Sequence, residues 1–123
     1  MDQANGLGEP VQLRQRCFSE AGPDGVVHFQ IVDLRRQLFV WVSAGSTELG
    51  NLSMATQTRM DNVPAVASLN HSSSNDAANT LAQKLALRVH KPVLCSCQIP
   101  QTAPMLQAFA ERRLFQELDT MAV

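Results

Sequence analysis

Cys95-Ser96-Cys97 places two thiols at alternate positions of one short segment, with His71 and His90 upstream as further possible metal ligands. Structural zinc takes four ligands, paired as knuckles spaced Cys-x₂₋₄-Cys. The chain has 3 Cys in all and no second knuckle, so the thiols read as small hydrophobes in a strand core. The Cys-x-x-Cys spacing of dithiol redox sites is missing as well. Ser72-Ser73-Ser74 beside His71 suggests a nucleophile with its base. No Gly-x-Ser-x-Gly elbow accompanies it, and a loop ending in a helix cap accounts for the serines. A helix N-terminus there could cradle phosphate, but neither a Gly-rich fingerprint nor Gly-Lys-Ser/Thr is present. Gly6-Leu7-Gly8 runs into Glu9-Pro10 and opens no helix.

Carboxylates are scattered: Asp33, Asp61, Asp76, Glu111, Glu117 and Asp119 form no local acid–base pair. Lys84 with Arg88 and Arg112 with Arg113 read as solvated helix faces. No catalytic, cofactor-binding or metal-binding residue is assigned, and the chemistry favours a non-enzyme.

The elements that would carry these residues fit one domain of 123 residues. A net charge of −1 gives no broad footprint for nucleic acid or an anionic membrane. Aromatics are 5% with no Tyr, which offers no stacking platform for single strands. No apolar run approaches the roughly 20 residues of a membrane span. Free thiols and the lack of a signal-like N-terminus lead to an expectation of the cytosol, with the nucleus as a second compartment.

Residues 1–9 are expected to be a flexible tail, and 10–123 a single domain. Val11, Leu13 and Cys17 alternate with Gln12, Arg14 and Arg16, which predicts an edge strand. Gly22-Pro23-Asp24-Gly25 is a turn, and Val26 to Leu34 a second strand. Leu38-Phe39-Val40-Trp41-Val42 is apolar on both faces: Leu38, Val40 and Val42 point one way, Phe39 and Trp41 the other. A fourth strand is expected at about 51–59 and a fifth at 63–69, making a five-strand antiparallel meander. Ala78, Leu81, Ala82, Leu85 and Val89 mark a helix over 76–90, ended by Pro92. Val93 to Ile99 is a sixth strand. Pro104 opens a second helix to about Asp119, with Leu106, Ala110, Leu114, Leu118 and Met121 on one side and Phe115 left exposed.

The order of segments resembles the proteasome assembly chaperone 4 family. Asn51-Leu52 is followed by Arg59-Met60-Asp61-Asn62-Val63-Pro64, a Ser/Asn/Asp-rich loop, then Leu81-Ala82-Gln83-Lys84-Leu85-Ala86. His28-Phe29 leading to the Leu38–Val42 run, and the closing Glu111-Arg112-Arg113-Leu114, resemble it too. The resemblance implies an α+β domain: a six-stranded, mainly antiparallel sheet with two helices on one face and the other used for dimerisation. It implies a heterodimer with proteasome assembly chaperone 3 that binds 20S proteasome α-subunits, promotes a correct α-ring and leaves before maturation. The resemblance offers no catalytic residues to transfer, and no cofactor, nucleic-acid or membrane partner is expected. The expected interface residues are Leu38, Phe39, Val40, Trp41, Val42 and Phe115, and the sequence leaves open which face of the Leu38–Val42 run meets the partner. The alternative is a small self-dimerising ligand-binding or regulatory module with its pocket beside residues 70–76. A hydrolase built on His71 and the serines ranks third.

Overall fold

The computed structural model describes residues 14–23, 25–45, 52–56, 64–70, 77–100 and 102–123. The expected tail, Val11 and Leu13, the serine cluster with His71, and Arg59 to Val63 lie outside them.

Strands β1 (Arg14–Gly22) and β2 (Gly25–Asp33) form an antiparallel hairpin. Its turn depends on Gly25, whose φ of 149° favours a residue without a Cβ. β3 (Leu38–Ser43) returns antiparallel to β2. β4 (Leu52–Thr56) and β5 (Ala65–Asn70) form a second antiparallel pair with a register irregularity at Leu52/Ser53. Helix α1 (Ala77–Val89) then leads to β6 (Val93–Gln98), and α2 (Pro104–Met121) follows.

The sheet order is β1-β2-β3-β6-β4-β5. The expected meander is therefore split: β6 enters between β3 and β4, antiparallel to β4 and parallel to β3. The fold is α+β with a six-stranded mixed sheet, in which β3–β6 is the parallel pair. Placing the apolar strands β3 and β6 side by side at the centre hides both from the sheet edges. The α1 crossover supplies the length that a parallel return requires.

Both helices cover one face. α1 seats Ala78, Leu81, Ala82, Leu85 and Ala86 over β4, β5 and β6. Beneath it β4 offers Ser53 and Ala55, both buried, whose small side chains permit close approach. Ser53 Oγ also hydrogen-bonds Asn79 of the helix. α2 starts at Pro104, whose missing N–H costs nothing in a first turn, and packs over β1 and β2. Its buried stripe is Leu106, Ala110, Leu114, Leu118 and Met121, as the spacing predicts, with Glu117 added.

Several expectations change. Lys84 and Arg88 are not merely solvated: they pair with Glu111 (2.9 Å) and with Asp119, tying α1 to α2. Arg113 pairs with Glu117 at 3.0 Å and with Glu20 of β1 at 3.4 Å, and its guanidinium lies 4.6 Å from the Phe18 ring centroid. Arg16 pairs with Glu117 too, so this buried carboxylate is balanced by two cations. Phe115 is half-buried against the core with Arg88 over its ring, rather than exposed.

Candidate partner-binding face

Period-2 alternation assigns each strand residue to a face once the helices are placed. Val27, Phe29 and Ile31 of β2, Leu38, Val40 and Val42 of β3, and Val93, Cys95 and Cys97 of β6 all point under the helices. Phe29 stacks on Phe18 there, with ring centroids 4.7 Å apart. Leu38, Val40 and Val42 are 0% exposed. These three members of the expected interface are therefore core residues, with no surface left for a partner. Phe115 stands on the helix side as well.

Phe39 and Trp41 point the other way, and the register extends their row across the sheet. Val32 of β2 lies opposite Phe39, Phe39 opposite Leu94 of β6, Leu94 opposite Met54 of β4, and Met54 opposite Ala67 of β5. This is a lateral line of apolar side chains crossing five strands, about 19 Å at the usual spacing between strands. Val32, Phe39, Met54 and Leu94 are half-buried, each shielded by its neighbours in the row. Among the described residues no helix packs on this face. Sequence reasoning had Phe39 and Trp41 but missed Val32, Met54 and Leu94. Val32 enters through the β2–β3 pairing, while the membership of Leu94 and Met54 depends on β6 lying between β3 and β4, which no local pattern records.

The next row, Cys17, Gln30, Trp41, Ser96 and Leu52, is more polar. At its β1–β3 end is a hollow of about 510 Å³ bordered by Cys17, Ser19, His28, Gln30 and Trp41. His28 Nδ1 and Ser19 Oγ hydrogen-bond at 2.6 Å. Among the described residues no carboxylate orients the imidazole, so the pair lacks the third member that activates a serine nucleophile.

The thiols behave as small hydrophobes. Cys95 and Cys97 are 0% exposed. Burial pushes the Cys95 thiol well above its ordinary range, and pushes Cys97 up to about 11. Cys97 is also within reach of Gln107 Oε1, at 3.7 Å. A thiol held protonated in this way is a poor metal ligand and a poor nucleophile.

The described residues thus form a mixed sheet with two helices on one face and an apolar row left uncovered on the other. One solved structure that the chain matches is described as a novel chaperone complex for yeast 20S proteasome assembly. The TM-score is 0.60 over 89% of this chain and 95% of that one, and at 15% identity the likeness shows the fold. The family model for proteasome assembly chaperone 4 matches residues 26–99. Proteasome assembly chaperone 4 of Mus musculus is 34% identical over 103 residues, covering 84% of this chain and 83% of that protein. Its Homo sapiens counterpart is 33% identical over 102 residues, covering 83% and 82%. The chain belongs to the proteasome assembly chaperone 4 family.

Proposed function

We propose that this chain acts as one half of a heterodimer with proteasome assembly chaperone 3, promotes correct α-ring assembly of the 20S core by binding α-subunits, and leaves before maturation. The observation that carries this is the uncovered apolar row Val32–Phe39–Leu94–Met54 on a chain of this family. A second sheet seated on that row would complete a sandwich, with Phe39 and Trp41 as the aromatic anchors that interface centres favour. Binding incomplete rings but not finished particles biases assembly by mass action, and no catalysis is required. We assign this work to the cytosol, with the nucleus as a second compartment.

The test is co-purification with chaperone 3 and size determination of the product, using Phe39→Asp and Leu94→Asp. Each places a charge in the centre of the row, where an unpaired buried charge strongly disfavours association. Heterodimer affinity is expected to fall by at least about 100-fold, roughly 3 kcal/mol, while far-UV circular dichroism of the free chain is retained. A heterodimer indifferent to both substitutions would move the interface elsewhere. The hollow beside Trp41 favours a second reading, a self-dimerising ligand-binding module. A chain that homodimerises and recovers neither chaperone 3 nor α-subunits would support that module instead.

A further inference from the structure

We infer that the turn between β2 and β3 is a second docking element, a preorganised arginine tip that seats an acidic patch of the α-subunit. This rests on the function proposed above and adds the chemistry of the contact. The turn, Leu34-Arg35-Arg36-Gln37, is fixed from every side. Leu34 N–H donates to Gln37 O and Arg36 N–H to Leu34 O, both at 2.9 Å. Arg35 N–H donates to Asp33 Oδ1 at 3.0 Å, and Arg35 O accepts from Lys91 Nζ at 3.2 Å. Lys91 in turn holds Asp33 Oδ1 at 2.7 Å, and Arg14 holds Oδ2 at 2.8 Å. The backbone of the turn is thus clamped to β1 and to the α1–β6 connection.

What the clamp presents is unusual for this chain. Arg35 and Arg36 are exposed and carry no ion pair among the described residues, while every other described Lys or Arg except Arg112 is paired internally. Arg35 has a φ of 74°, a conformation in which glycine would be more comfortable. At the base of the tip Arg14 and Lys91 both hold the Asp33 carboxylate, so among the described ion pairs none reaches Arg35 or Arg36. Leu34 beside them is 39% exposed and adds an apolar contact.

This positive, rigid projection borders the apolar row at Val32 and Phe39 without belonging to it. The division of labour follows from physics. Apolar burial suits a lasting dimer, whereas contacts between exposed charges are fast, selective and weakened by salt, which suits a client that must be released. Two free arginines beside a leucine match a carboxylate-bearing protein surface. Nucleic acid would call for more phosphate-contacting cations than the tip provides.

The experiment uses the purified heterodimer of the full chain with chaperone 3 and measures its binding to isolated α-subunits at 50 and 300 mM NaCl. Arg35→Gly with Arg36→Ala removes both charges while leaving Arg35's position to the residue its φ prefers, so folding is protected. The heterodimer is expected to form normally and to bind the α-subunit about tenfold more weakly, with a flatter salt response. Arg35→Lys with Arg36→Lys, which retains charge, is expected to recover most of the affinity. Unchanged binding by the Gly/Ala variant overturns the tip while leaving the proposed function standing. Loss of the heterodimer itself reassigns the tip to the dimer interface and overturns it too. A wild-type heterodimer that binds no α-subunit defeats the function and the tip together. Wild-type binding to duplex DNA or phosphatidylserine vesicles that the Gly/Ala variant loses would replace the acidic protein surface.

Discussion

Replacing Asp33 with Asn would cut the clamp at its centre. The carboxylate is 4% exposed, and burial alone would push its pKa up. Hydrogen bonds from Lys91, Arg14 and the Arg35 amide, with the Lys91 charge, outweigh burial and bring it from 3.8 down to about 2. A group whose folded pKa lies below its unfolded value contributes stability that is complete above the unfolded pKa and lost as pH falls through the folded one. The shift corresponds to about 2 kcal/mol near neutrality, falling to roughly half of that at pH 3 and to a small remainder at pH 2. Arg14 is half-exposed and its share is screened by water, while Lys91 is mostly covered, so about 2 kcal/mol is the expected cost of Asp33→Asn at pH 7. Asn can still accept from the Arg35 amide, but leaves two cations without their counter-charge. Urea unfolding of both proteins at pH 7, 5 and 3 measures the gap, which should shrink on acidification between pH 4 and 2. A difference under about 0.5 kcal/mol at pH 7, or one that stays constant down to pH 3, would refute the clamp's electrostatics.

The thiols and a close approach give two further tests. Cys17 is exposed while Cys95 and Cys97 are buried, so a thiol reagent at pH 8 should label one cysteine quickly and the other two only on unfolding. Three fast equivalents would contradict the buried placement of β6. A Cβ on Gly22 would stand 2.8 Å from Phe109 and 2.9 Å from Leu106, so Gly22→Ala should cost about 1–3 kcal/mol of thermal or urea stability. A neutral Gly22→Ala would mean that α2 sits further from β1.

Much of this architecture follows from local pattern. The α1 stripe, the Pro104 start of α2, the β1–β2 turn and the two-faced character of β3 all answer to spacing a few residues long. The order of strands does not. Whether β3 pairs with β4 or with β6 depends on contacts more than 50 residues apart. The placement of the helices, also non-local, decides that Leu38, Val40 and Val42 are core while Phe39 and Trp41 face outward. Glu117 shows a different limit. A carboxylate on an apolar stripe reads as an interruption until Arg16, 101 residues away, and Arg113 are seen to balance it. The basic residues of α1 looked solvated for the same reason, since their partners lie on another helix.

The position of β6 also sets how this protein must be made. Among the described strands, β6 is the only one hydrogen-bonded to both the β1–β3 group and the β4–β5 pair. During synthesis, five of the six strands leave the ribosome before the piece that joins them. Until residue 98 has emerged, the chain can form only two separate sheet fragments, with unpaired edges at β3 and β4, the strands that end up flanking β6. Such edges invite pairing with other chains, and joining them late, across long sequence separations, is a slow step. A ribosome stalled before β6 should therefore yield a nascent chain open to protease, and release of the remaining residues should convert it into a resistant domain.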